Sequence, residues 1–222
     1  MTCFSVLLAC QIQVIDHVHI SCYGLTDGRI KVSTTNCKGQ VSYKWSNGSV
    51  TPEITNLSAG TYTLVVSDES GATDVETFTI NEPQKLELDL SFIEPLCHGE
   101  STASVYSSPY GGTWPYTFKW SNGSTNGHLH DVPAGTYGLT ITDDNGCTAS
   151  KSILVTEPDP IKITADYLFD VTCFGAKNGS VRVTPSKGTP PYTYSWSSGH
   201  TTALANNLGP GTVTVTVTDY FS

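Results

Sequence analysis

The sequence predicts an all-β protein built of three tandem, small antiparallel sandwiches. Runs such as Thr212-Val213-Thr214-Val215-Thr216-Val217 carry a β-branched residue at every position and alternate with period two. Ser and Thr are abundant, whereas the good helix formers Glu, Lys and Met are scarce, Met occurring once. A tryptophan motif recurs three times at nearly constant spacing, which makes the chain a repeat array.

The motif reads Tyr43-Lys44-Trp45-Ser46-Asn47-Gly48-Ser49, then Phe118-Lys119-Trp120-Ser121-Asn122-Gly123-Ser124, then Tyr194-Ser195-Trp196-Ser197-Ser198-Gly199. Its tryptophans are 75 and 76 residues apart, and the same offsets relate Cys22, Cys97 and Cys173, Gly60, Gly135 and Gly211, and Asp68, Asp143 and Asp219. In the middle unit a lead strand over 86–92 is followed by a Cys-x-Gly turn and a second strand over 101–106. The aromatic strand holding Trp120 and an Asn-Gly turn come next, then a strand from Gly135 to Asp143. Asp144-Asn145-Gly146 closes a hairpin into a last strand, Thr148 to Val155. Six or seven strands in about 75 residues suit a small sandwich.

Glu82-Pro83 and Glu157-Pro158 end the first two units, since proline removes a ladder donor at a strand end. The expected organisation is an apolar segment over 1–9, then repeats over 10–83, 84–158 and 159–222. Linkers are almost absent, because Leu86 and Ile161 already open the next lead strands, so a stiff rod of roughly 100 Å is expected. Eleven Lys and Arg stand against twenty Asp and Glu, with a net charge of -9 and no basic cluster. Nucleic acid is therefore a poor partner. No apolar run approaches the roughly 20 residues of a membrane-spanning helix.

These residues resemble the SprB repeat, found in tandem in surface adhesins of gliding Bacteroidetes. The resemblance lies in Val171-Thr172-Cys173-Phe174-Gly175, Asn178-Gly179-Ser180 and Gly188-Thr189-Pro190-Pro191-Tyr192-Thr193-Tyr194-Ser195-Trp196. Ala134-Gly135-Thr136-Tyr137 and Thr142-Asp143-Asp144-Asn145-Gly146-Cys147 add to it in the middle unit. It implies an extracellular, immunoglobulin-like structural repeat without chemistry of its own. Family members usually carry many more repeats than three.

Seven cysteines in a weakly charged Ser/Thr-rich β protein point to an oxidising compartment, and no Cys-x-x-Cys pair suggests zinc or a redox motif. Cys97 at the first turn of the middle unit and Cys147 at the start of its last strand are the expected disulfide, a pairing the family resemblance also implies. In the first unit Ala72 stands where Cys147 would, so Cys22 lacks that partner, and Cys37 lies a strand's length from Cys22. If the lead strand pairs antiparallel with 29–36, Cys10 falls opposite Cys37, which makes Cys10 with Cys37 the second expected bridge.

The third unit ends just after Asp219, where the middle unit continues through Cys147 to Val155, so it lacks its last strand and a partner for Cys173. An unpaired edge templates association. The surplus apolar segment Thr2 to Ala9, with Cys3, Phe4, Val6 and Leu8, resembles the missing strand. It predicts donor-strand exchange between copies, residues 2–9 of one completing the third repeat of the next and Cys3 bonding Cys173. Such a head-to-tail contact propagates into a filament. The alternatives are a fragment of a longer adhesin, a segment folding back so that Cys3 bonds Cys22, or a lipobox at Leu7-Leu8-Ala9-Cys10.

Catalytic and cofactor chemistry are not expected. His17 with His19, and His128 with His130, have no third ligand nearby for a metal. Asp143-Asp144-Asn145-Gly146 reads as a turn instead of a calcium loop. Trp45, Trp120 and Trp196 read as core, whereas Trp114 stands alone in a loop and is the candidate contact for a glycan. The expected partners are other copies of the chain and surface polysaccharide.

Overall fold

The computed structural model describes residues 9–221, and among them lie seventeen β-strands and no helix. The first repeat holds β1 (Gln11–Val18), β2 (Gly28–Thr35), β3 (Val41–Trp45), β4 (Glu53–Leu57), β5 (Gly60–Asp68) and β6 (Thr73–Ile80). They form two sheets, ordered β1-β2-β4 and β3-β5-β6. The middle repeat holds β7 (Glu87–Ile93), β8 (Ala103–Tyr110), β9 (Thr117–Trp120), β10 (Leu129–Val132), β11 (Gly135–Thr142) and β12 (Thr148–Val155), in sheets β10-β8-β7 and β12-β11-β9. The third holds β13 (Lys162–Phe169), β14 (Gly179–Ser186), β15 (Thr193–Trp196), β16 (Leu204–Leu208) and β17 (Val215–Thr218), in sheets β13-β14-β16 and β15-β17. The chain is thus an all-β array of tandem immunoglobulin-like sandwiches.

By compactness the chain divides into two units, and the division runs across the middle repeat. One unit comprises Met1–Asp89, Ser108–Lys119 and Thr140–Lys151, the other Leu90–Ser107, Trp120–Leu139 and Ser152–Ser222.

In the first unit, alternation does the folding. Along β2, Gly28, Ile30 and Val32 point inward between exposed Arg29 and Lys31, and along β5 Leu64 and Val66 are fully buried. Twelve buried residues from both sheets form one core around Trp45. Removing that much apolar surface from water is the main force holding two small sheets face to face.

Each tryptophan motif works in the same way. Trp45, Trp120 and Trp196 are buried, and each indole Nε1 donates to a backbone carbonyl six residues on: Thr51 at 2.9 Å, Asn126 at 2.8 Å and Thr202 at 2.9 Å. The indole is satisfied as well as packed, so its burial costs no orphaned donor. Gly48, Gly123 and Gly199 turn the chain beside it with φ of 88°, 88° and 84°, left-handed values that favour glycine.

In the second unit the third repeat has a smaller core. Its buried apolar cluster comprises Val183, Trp196, Ala205 and Leu208, with Val181, Tyr194, Val213 and Val215 partly covered. The strand that opens at Gly60 and Gly135 in the earlier repeats opens only at Val215 in the third. Among the described residues no strand lies on its far side to hold 211–214 in a ladder.

Candidate functional site

Two local devices, one at each end of a repeat, set up the geometry. At one end a carboxylate ties the loop after the second strand to the hairpin after the fifth. Asp68 accepts the Lys38 N–H at 2.8 Å, the Ser70 N–H at 2.9 Å and the Ala72 N–H at 3.1 Å. Asp143 likewise accepts from Thr113, Asn145 and Cys147 at 2.9, 3.0 and 2.8 Å. Asp219 accepts from Thr189 at 2.9 Å and Phe221 at 3.1 Å. The Lys38 N–H, then the Ser70 hydroxyl, stabilise the charged form of Asp68 and lower its pKa to about 2. The sequence marks these aspartates by their offsets but not their distant partners Lys38, Thr113 and Thr189, each thirty residues upstream.

At the opposite end the Glu-Pro pairs do more than stop a strand. Glu82 accepts the Gly24 N–H at 3.1 Å, and Glu157 accepts the Gly99 N–H at 2.7 Å, so each carboxylate holds the Cys-x-Gly turn of its own repeat.

These positions correct the expected Cys97–Cys147 disulfide. Cys97 sits beside Gly99 and Glu157, beyond the end of β12, whereas Cys147 precedes its start. Eight residues of extended strand span about 26 Å, far more than the roughly 7 Å a disulfide tolerates between Cα atoms. Cys147 is bonded instead to Cys22, with Cα atoms 5.7 Å apart. Cys22 therefore has a partner after all, in the following repeat. Asn145 reinforces the contact, its carboxamide donating to the Ser21 carbonyl at 2.9 Å and to Thr113 Oγ1 at 3.0 Å. Cys10 and Cys37 are bonded to each other, their Cα atoms 4.2 Å apart where the ends of β1 and β2 meet.

The open side of the third repeat is the candidate assembly site. In the first repeat β6 pairs along the whole of β5, from Gly60 opposite Ile80 to Ser67 opposite Thr73. It buries Phe78 against Trp45, ring centroids 5.6 Å apart, and sends Ile80 over Gly28. Among the described residues, β17 of the third repeat pairs only with β15. Gly179, at the place of Gly28, faces a cavity of 320 Å³ also lined by Val181, Leu208 and Val213. This cavity lies where a side chain equivalent to Ile80 would sit. Cys173 is an exposed thiol in the adjoining turn, and Phe174 beside it is fully exposed. Cys3, Phe4, Val6 and Leu8, expected to fill this edge, lie outside the described residues.

Trp114 is 78% exposed in the loop before β9. The paired histidines are engaged with their own repeats. His17 Nε2 donates to the Thr79 carbonyl at 3.1 Å, and His19 Nδ1 accepts the Asn81 N–H at 3.3 Å. His128 Nδ1 accepts the Ser107 N–H at 3.2 Å. Among the described residues no three His, Cys, Asp or Glu side chains gather as a metal site would require. No helix among them is long and apolar enough to cross a membrane.

A family model described as the SprB repeat matches residues 16–50 and 169–201. No curated protein matches the chain. Among solved structures, three N-terminal domains of the highly immunogenic outer capsid protein of bacteriophage RB49 are 14% identical, with a TM-score of 0.42 over 85% of this chain and 74% of that one. The N-terminal eight immunoglobulin domains of Down syndrome cell adhesion molecule are 13% identical, TM-score 0.42, over 84% of this chain and 29% of that one. A C-terminal fragment of intimin, in complex with the intimin-binding domain of its translocated receptor, is 14% identical, TM-score 0.35, over 70% and 66%.

Proposed function

Starting from a chain that carries SprB repeats, we propose a structural subunit of an extracellular filament, in which residues 2–9 of one copy supply the strand that β17 of another lacks. An extracellular or cell-surface location accords with the repeat family and with two disulfides. The domains are the repeats 10–83, 84–158 and 159–222, preceded by the donor segment, and their work is mechanical and non-enzymatic. The observation that carries this reading is the two-stranded β15-β17 sheet beside an open cavity lined in part by Val181, Leu208 and Val213, where the earlier repeats have a third strand. An added strand would gain main-chain hydrogen bonds from β17 and apolar burial over Gly179. The experiment is size-exclusion chromatography and negative-stain microscopy of the chain with and without residues 2–9. Fibres that vanish on deletion are expected; a monomeric full-length chain sinks the proposal.

A second reading, an adhesin segment that holds surface polysaccharide through its loops, is favoured by the exposure of Trp114, since an indole face stacks well on a sugar ring. Trp114→Ala then abolishes polysaccharide binding and leaves assembly intact, the reverse of the deletion.

A further inference from the structure

One pair of facing positions on the outer side of the β2-β4 sheet recurs in each repeat with different chemistry. In the first, Lys31 on β2 lies opposite Glu53 on β4, and the two form an ion pair at 3.3 Å. At the equivalent place in the middle repeat, Tyr106 packs on His128 with ring centroids 5.4 Å apart. In the third repeat Arg182 on β14 lies opposite Leu204 on β16. A cation is kept where Lys31 stands, and its carboxylate partner is replaced by an apolar side chain.

Arg182 takes part in none of the ion pairs formed among the described residues. It lines a groove of 520 Å³ together with Asp166, Ser180, Thr184, Leu204 and Asn206. Thr184 donates its hydroxyl proton to Asp166, which leaves that carboxylate further lone pairs facing the groove. The set is a planar guanidinium fork, an apolar patch, a carboxylate acceptor, an amide and hydroxyls. A fork with no carboxylate of its own is the group that matches a ligand carboxylate bidentately. Asp166 repels a bare anion but accepts from hydroxyls, and Leu204 suits the C–H face of a pyranose ring.

We propose that this groove is a binding site for a carboxylated saccharide, a uronic acid unit of an acidic polysaccharide, with Arg182 on the carboxylate and Asp166 and Asn206 on ring hydroxyls. The site is distinct from the β17 edge and from the Trp114 loop, and it does not depend on strand donation.

The test is calorimetric titration of the full chain with trigalacturonate and with its methyl ester at low salt. Saturable binding is expected, weakened about tenfold or more by Arg182→Gln and by esterification, the range of a lost charge-assisted hydrogen bond. Leu204→Glu, which rebuilds the Lys31–Glu53 arrangement around an intact Arg182, is expected to weaken it equally with the thermal midpoint preserved. Arg29→Gln, which removes a cation already paired with Asp16, is expected to leave it unchanged. Absence of saturable binding overturns the proposal, as does binding that survives Arg182→Gln or esterification. An equal loss in Arg29→Gln also overturns it, because the effect would then be one of overall charge.

Discussion

Cys22 is bonded to Cys147, 125 residues further along the chain, and so joins the turn of one repeat to the hairpin of the next. Closing a loop of this length removes much denatured-state freedom, and in the chain-entropy view the bond contributes about 2–5 kcal/mol. Cys22→Ala with Cys147→Ala is expected to lower the unfolding free energy in urea by that margin, and reductant added to the native chain to lower it further, because it also opens Cys10–Cys37. A non-reduced digest should yield a peptide pair linking Cys22 and Cys147; a pair linking Cys97 to Cys147 would contradict the assignment.

Asp68 makes stability depend on pH in a defined direction. Its folded pKa of about 2 lies below its ordinary value of 3.8, so the folded state binds that proton less readily than the unfolded state does. The contribution is therefore complete above about pH 4 and lost as pH falls towards 2. Asp68→Asn is expected to unfold more easily than the native chain at pH 7 and to differ little from it at pH 2. Urea titrations at the two pH values compare them directly.

Trp196→Phe removes both the Nε1 bond to Thr202 and part of the small core of the third repeat. A loss of about 1–3 kcal/mol is expected, from one buried hydrogen bond and a partly filled cavity. Far-UV circular dichroism in urea can follow it, since the variant leaves the third repeat without a tryptophan. A loss confined to hydrogen exchange in 179–218 would show that the third repeat opens separately.

Gly28 and Gly179 occupy equivalent sites with different neighbours. A Cβ on Gly28 would meet Ile80 Cγ2 at 2.9 Å and the Leu57 carbonyl at 3.0 Å, whereas one on Gly179 would meet the Leu208 carbonyl at 3.0 Å and no side chain from a further strand. Gly28→Ala is therefore expected to cost about 1 kcal/mol more than Gly179→Ala, the overpacking against Ile80 being the difference. Equal costs in thermal melts would mean that the seat over Gly179 is not vacant.

Much of this was legible in the residues because the signals were local. The Trp-Ser-x-Gly motif specifies a strand end, a left-handed glycine and an indole donor within a few positions, and all three repeats build it alike. The expected second strand over 101–106 instead runs Ala103–Tyr110, and β10 was not placed individually, because four residues carry too little pattern. Less legible were relations set by the ends of the sandwich. Cys97 and Cys147 look like neighbours when a repeat is read as a closed unit, yet β12 separates them, and Cys147 finds its partner one repeat earlier. The distant partners of Asp68, Asp143 and Asp219 are backbone N–H groups, which leave no trace in side-chain identity. Arg182 is distinguished by register, which sets Leu204 opposite it in the place of Glu53, and register is not written in the local pattern.

The Cys22–Cys147 bond also decides where tension travels. Force applied to the chain on either side of the pair passes through the sulfur bridge, so residues 23–146 are bypassed. Roughly 400 Å of potential extension is held in reserve while the bond is oxidised. Under a reducing agent the same chain becomes longer and softer when pulled, so the redox state of its surroundings sets how far it stretches before it yields.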